Sequence, residues 1–288
     1  MKRLLLLSGK GGTGKTTVSA ALIRLFQAKA VADCDVDAPN LHLVMKRSAA
    51  PQVNDFFGGD KAVVDAGRCT GCGMCESQCR FEAIAVEHGT AAVNAYACEG
   101  CGVCAFVCPA SAVDLRKDLA GRRELYRDEG VFSTAALKMG RGNSGKLVTD
   151  VKLAMFNAAP ACDIAVVDGS PGIGCPVIAS VSGMDLVLAV AEPSGSGVSD
   201  LKRLCKTAET FQTKLAVCVN KYDVSAEHTA EIEAFCSARG IPFVGKIPFD
   251  IQAVKAVNAG ASIVDTECPS GQAVRDIYKE ICRLMQQS

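Results

Sequence analysis

The 288-residue chain lacks net charge, since 31 lysines and arginines balance 31 aspartates and glutamates. Bulk attraction to nucleic acid or anionic lipid is thereby excluded, although a local charged patch is not. Long apolar runs are missing as well. The longest early one, Leu4 to Leu7, is too short for the core of an export signal. No stretch approaches the roughly 18 apolar residues of a membrane span. These absences lead us to expect a cytoplasmic protein with no nucleic acid partner and no stable membrane anchor. Hydrophobic residues make up 49% of the chain and charged ones 22%. That suffices for the core of one large domain or two modest ones and excludes wholesale disorder.

Cysteine, by contrast, is abundant, with 16 residues. Disulfide scaffolds are short and exported, and this chain has neither property. Eight of the cysteines fall into one spacing used twice. Cys69, Cys72, Cys75 and Cys79 form C-x2-C-x2-C-x3-C, and Cys98, Cys101, Cys104 and Cys108 repeat it 29 positions later. Gly71 and Gly73 recur as Gly100 and Gly102, and Ala83-Ile84 recurs as Ala112-Val113. A repeat this strict predicts one supersecondary unit used twice.

The spacing suits an iron–sulfur cube. A tight turn brings three thiolates to one face, glycines let backbone amides approach the sulfurs, and the fourth cysteine ligates the other cluster. Four thiolates also bind zinc, but zinc ribbons use two separated C-x2-C pairs. The segment resembles bacterial two-cluster ferredoxins over roughly residues 60–115. That resemblance assigns Cys69, Cys72, Cys75 and Cys108 to one [4Fe-4S] centre, and Cys79, Cys98, Cys101 and Cys104 to the second. Arg80 departs from the pattern, which places proline after the fourth cysteine as at Pro109. Seven acidic and three basic residues between 60 and 115 give this segment a charge of −4. An electron-transfer partner is expected to present a basic surface to it.

A second motif opens the chain. The strand-like Arg3–Leu7 runs into Gly9-Lys10-Gly11-Gly12-Thr13-Gly14-Lys15-Thr16, which fits G-x4-G-K-[ST], and a helix is predicted from Thr17. Glycines turn consecutive N–H groups inward around phosphates. Lys15 reaches the β/γ oxygens, the Thr16 hydroxyl ligates Mg2+, and the helix dipole favours the anion. The extra lysine, Lys10, makes the octapeptide resemble the deviant Walker A loop of the MinD/ParA/Mrp ATPases, the superfamily of the nitrogenase iron protein.

The resemblance extends along the chain. It implies that Lys10 crosses a two-fold interface to the partner's phosphates, so that ATP joins two copies, or one copy and a related ATPase. Asp35, within Asp33-Cys34-Asp35-Val36-Asp37, stands where the family orients attacking water, and Asp33 lies near Mg2+. Ile164–Val167 leads to Asp168-Gly169-Ser170-Pro171-Gly172, similar to Walker B and the second switch, which makes Asp168 a further Mg2+ residue. Thr17 completes the nucleotide-binding set, Asn220 matches the adenine-contacting asparagine, and Pro248 belongs to the loop that closes over the base. Cys175 sits where the nitrogenase iron protein places one bridging-cluster cysteine. The second such cysteine is missing around Met139–Gly142, so no third cluster is expected.

The expected fold is therefore α/β: a mostly parallel sheet covered by helices on both faces. This P-loop domain (residues 1–59 and 116–288) is interrupted by a ferredoxin-type domain at 60–115. The expected activity is ATP hydrolysis, with ATP/ADP, Mg2+ and two [4Fe-4S] clusters as cofactors. Coupling of ATP-dependent dimerisation to low-potential electron transfer or metal–sulfur cofactor assembly on a client protein is the first functional reading. The alternatives are a MinD/ParA-like spatial organiser and a cluster scaffold. Val274–Met285 reads as a packed terminal helix, its basic residues offset by Asp276 and Glu280, which weighs against membrane cycling.

Overall fold

The computed structural model describes residues 1–45 and 48–286. Its strands are β1 (Lys2–Leu7), β2 (Ala30–Asp33), β3 (Gln52–Val64), β4 (Ile84–Glu87), β5 (Thr90–Val93), β6 (Val113–Arg127), β7 (Val131–Leu137), β8 (Ile164–Asp168), β9 (Leu186–Ala191), β10 (Lys214–Asn220) and β11 (Phe243–Ile247). The helices are α1 (Lys15–Phe26), α2 (Met74–Ser77), α3 (Val103–Phe106), α4 (Ser144–Ala158), α5 (Cys175–Val181), α6 (Gly195–Thr210), α7 (Ala226–Arg239), α8 (Ile251–Asn258) and α9 (Pro269–Gln286). The chain divides into two units. One comprises Met1–Asn54, Arg123–Ala136 and Ser144–Ser288, and the other Asp55–Arg122 and Leu137–Asn143.

The strands of the first unit are apolar on both faces, and such runs need cover on both sides. Within this unit the sheet runs β11-β10-β9-β1-β8-β2-β7, continued by the near ends of β6 and β3. β1 lies parallel between β8 and β9, while β2 pairs parallel with β7 and β8. Leu4 and Leu6 join one core with Val31, Val166, Leu188 and Ile277. A second core gathers Val198, Leu201, Val217, Val219 and Ile232. Helix α9 buries Val274, Ile277, Ile281 and Met285 in the first core, at about 1.5–3 kcal/mol for each side chain. Among the described residues no helix is long and apolar enough to cross a membrane. Cys34, Cys205, Cys218 and Cys236 are buried, and burial pushes their thiols up, so they act as small apolar side chains.

Helix α4 is tied to α5 by Lys152. This side chain is 5% exposed, and its ammonium donates to the carbonyls of Ala179, Ser180 and Ser182, each at 2.7 Å. Those oxygens end α5 and have no partner inside the helix. Burial still pulls the ammonium down to about 8 from 10.5. Between these values the folded chain has released the proton and the unfolded chain has kept it. Unfolding then takes up a proton, so the Lys152 contribution to stability rises with pH across that window. Denaturant titrations of wild type and Lys152→Met at about pH 8 and about pH 10 should show this rise in wild type only.

The second unit is built twice over, and its two halves exchange contacts. Asp65 N–H donates to the Ala112 carbonyl, and Asn94 N–H donates to Ala83. Ala62 N–H points at the Cys98 sulfur, and Ala91 N–H points at Cys69. Each pair of bonds converts into the other by the same 29-residue step. Strands β4 and β5 form a separate antiparallel pair. The segment Leu137–Asn143 is held to this unit by Arg141, which meets Asp118 at 3.0 Å, the Ala95 carbonyl at 2.9 Å and the Tyr96 ring.

Candidate functional site

In the first unit the loop between β1 and α1 is shaped by glycine. Gly14 has φ +85°, and a Cβ there would fall 2.2 Å from the Asn220 amide nitrogen. Asn220 in turn donates to the Thr13 carbonyl at 2.6 Å, pinning the loop from the end of β10. Lys221 adds a bond to Gly12 at 3.1 Å. The Thr13 hydroxyl is buried with no protein partner.

Asp168 ends β8 fully buried and gathers three donors. The Lys15 ammonium lies 2.6 Å from Oδ1, Ser19 Oγ donates to the same oxygen at 2.6 Å, and Thr16 donates to Oδ2 at 2.8 Å. Asp33 ends the neighbouring β2 and accepts the backbone N–H groups of Asp35, Asn40 and Leu41 at 3.0–3.1 Å. Burial, and then Asp168, raise the Asp33 carboxyl despite those amides and Lys15. Burial also raises Asp35, against Lys15. Two buried carboxylates facing one ammonium and a threonine hydroxyl form an oxygen-rich set that suits Mg2+.

Lys10 is not free in this state. Its ammonium lies 2.8 Å from Glu192, just past β9, and within 3.2–3.4 Å of Ser196 on the first turn of α6 and of Ser194, which caps that helix. Asp223 accepts the Phe249 N–H at 2.8 Å, which joins the loop after Asn220 to the loop of Pro248. Thr17 stands in the first turn of α1. The structure thus brings Lys15, Thr16, Asp33 and Asp168 together, with Asp35 at their edge. Asn220 is placed against the loop itself. Ser19, Glu192 and Lys221 escaped the sequence reading. Glu192 had a signal, because it is a carboxylate at the C-terminal end of a buried strand, as Asp33 and Asp168 are.

In the second unit the eight repeated cysteines line two cavities, four in each. Cys69, Cys72, Cys75 and Cys108 border one, and Cys79, Cys98, Cys101 and Cys104 border the other. Backbone N–H groups of Ala91, Ala112, Ala83, Ala62 and Gly100 point at the sulfurs of Cys69, Cys108, Cys79 and Cys98 at 3.3–3.5 Å. The amides of Ala91 and Gly71 lower the Cys69 thiol, whereas burial raises Cys75 and Cys104. Among the described residues no three His, Cys, Asp or Glu side chains stand close enough to hold a single metal ion. In a tetrahedral zinc site, with bonds of about 2.3 Å, the sulfurs lie only about 3.8 Å apart.

Comparison with known proteins bears on the first unit's site. The model of the CobQ/CobB/MinD/ParA nucleotide binding domain matches residues 4–263. An uncharacterized protein of Methanocaldococcus jannaschii is 29% identical over 288 residues, covering 97% of this chain and 96% of its own. The cell division ATPase MinD of Pyrococcus furiosus is similar in structure with a TM-score of 0.58 at 18% identity, over 99% of this chain and 100% of that one. The septum site-determining protein MinD of Pyrococcus horikoshii, solved with Mg-ADP, also gives 0.58, at 17% identity over 99% and 97%. At such identities these structures establish the α/β fold. The match over residues 4–263, on a chain whose Lys15, Thr16 and Asp168 meet at the end of β1, means that it belongs to the CobQ/CobB/MinD/ParA family of P-loop ATPases.

Proposed function

We propose that this chain is an ATPase whose ATP-bound form pairs with a second copy, or with a related ATPase, and whose second unit holds two [4Fe-4S] clusters serving a redox or metal–sulfur cofactor client. The observation that carries the cluster reading is the four-and-four division of the cysteines between two cavities. Four cysteines around each cavity, three from one motif and one from the other, fit the ligand pattern of a polynuclear cluster. The buried set of this unit supports the same reading. Cys75, Cys98 and Cys104 stand among Ala62, Ala83, Ala91, Ile84 and Val113, too few large apolar side chains to hold a small domain without a staple. When bound, such clusters supply one-electron transfer at low potential. The amides of Ala91 and Gly71 stabilise the Cys69 thiolate, the form that would bind iron.

On the nucleotide side, loop N–H groups cradle the phosphates and Lys15 neutralises the terminal ones. Thr16, Asp33 and Asp168 hold Mg2+, and Asp35 orients the attacking water. Lys10 exchanges Glu192 for the partner's phosphates when two copies meet. Lys10→Ala is accordingly expected to bind ATP as a monomer. Light scattering with ATP checks this, and undiminished dimerisation would refute the cross-interface role.

A spatial organiser is the reading that the solved relatives favour, since both are cell-division or septum-site proteins. On the comparisons alone it stands ahead of a redox role. The buried apolar face of α9 argues against a membrane-cycling version of it. Anaerobically purified protein should contain about eight irons per chain, and a colourless, iron-free chain sinks the cluster reading. ATP-dependent electron delivery to a partner separates the redox role from the organiser, whose mark would be ATP-dependent binding to vesicles or DNA.

A further inference from the structure

The two cysteine cavities are copies related by a 29-residue step, so any charged position that breaks the copy distinguishes them. Five positions do so beside the second cavity. Lys61 donates its ammonium to the carbonyl of Cys98, and the residue one step later, beside Cys69, is Thr90. Glu99 lines the second cavity where Thr70 lines the first. Arg80 follows Cys79, and Pro109 follows Cys108. Asp60 and Glu82 also stand beside the second cavity, one step from Gly89 and Ser111, while Glu76 stands beside the first, one step from Ala105. The second cavity therefore has two cations and three anions, and of these Lys61 alone is seen fixed to a cysteine carbonyl.

The anions are the weaker influence. Asp60, Glu82 and Glu99 are exposed and screened by water, as is Arg80, whereas Lys61 is half-buried and fixed by its bond to a cysteine carbonyl. Backbone N–H groups aimed at sulfur occur at both cavities, so hydrogen bonding does not undo the difference. Beside the first cavity Arg68 is neutralised by Asp65 at 2.9 Å and Asp114 at 3.0 Å. Net charge and exposure are among the quantities that set a cluster's potential.

We infer that the second cysteine site holds its electron at higher potential than the first because of Lys61, so that an electron entering the unit settles beside Cys98 and Cys101. This rests on the cluster reading above. Two otherwise twin centres thereby acquire a direction, with the first as the stronger reductant.

The test is an anaerobic redox titration of the full chain, followed by electron paramagnetic resonance after iron content has been measured. Wild type is expected to give two midpoints, the upper belonging to the centre whose signal Cys101→Ser alters. Lys61→Thr should lower that upper midpoint toward the other, and Glu99→Thr should raise it. Thr90→Lys should raise the lower midpoint, which keeps the idea testable if Lys61→Thr loses its clusters. Loaded Lys61→Thr and Thr90→Lys chains with unmoved midpoints would overturn the inference, as would a shift confined to the other centre. Wild-type protein without iron would overturn the parent reading instead, and that result is known before any titration begins.

Discussion

Lys15→Ala is expected to lose affinity for Mg-ATP by at least about a hundredfold, the equivalent of roughly 3 kcal/mol. Two losses combine. The ammonium proposed to meet the phosphates is gone, and so is the cation held 2.6 Å from Asp168, whose side chain is fully buried. Asp33 and Asp168 then face each other without a counter-charge. Removing one partner of a buried pair costs about 3–5 kcal/mol, because the remaining charge stays out of water. The melting temperature should therefore fall too, while circular dichroism below the melt stays native. Isothermal titration with Mg-ATP decides the matter, and wild-type affinity in a folded variant would overturn the role given to Lys15.

The second large effect is expected from Gly100→Ala. Gly100 has φ +66°, and a Cβ there would lie 2.1 Å from the Asp60 carbonyl oxygen, which is backbone and has nowhere to yield. Gly71 is its twin, with φ +65° and the Gly89 oxygen at 2.4 Å. Either alanine should prevent the second unit from closing and, on the proposed cluster reading, remove most of the iron, while ATP binding by the first unit persists. Gly73→Ala is the control. Its φ is +78° but nothing lies within 4 Å of the added carbon, so only the left-handed strain of about 1 kcal/mol is felt. Equal iron loss in all three variants would show that strain rather than collision is responsible.

What could be read from the sequence was what the local chain dictates. The P-loop is a backbone device, so its glycines and lysines declare it without tertiary information. The cysteine repeat declares itself by spacing, and the buried strands by apolar runs between turns. Contacts made at long range stayed hidden. Arg141 was read only as part of a stretch without cysteine, and its partners Asp118 and Tyr96 lie far away in sequence. Lys152 looked like one more polar residue on a helix, because nothing local shows that the end of α5 comes to meet it. Lys10 was recognised, but its resting partner Glu192 was not, since that pairing needs β9 laid beside β1.

The pairing of β1 also fixes an order of birth. Lys2 lies beside Ile164 and Leu4 beside Leu186, so β1 waits for about 160 further residues before it has a neighbour. The cysteine-bearing unit is complete in sequence at Asn143, before β8 has been translated. On the ribosome that unit folds while Leu4–Leu7 is still an unpaired, sticky edge. On the cluster reading proposed above, metallocentre delivery precedes the nucleotide pocket in the life of each molecule. A nascent chain starved of iron would then keep Leu4–Leu7 exposed while its cysteine-bearing unit stays unfolded, and would fail as an aggregate rather than as an inactive enzyme.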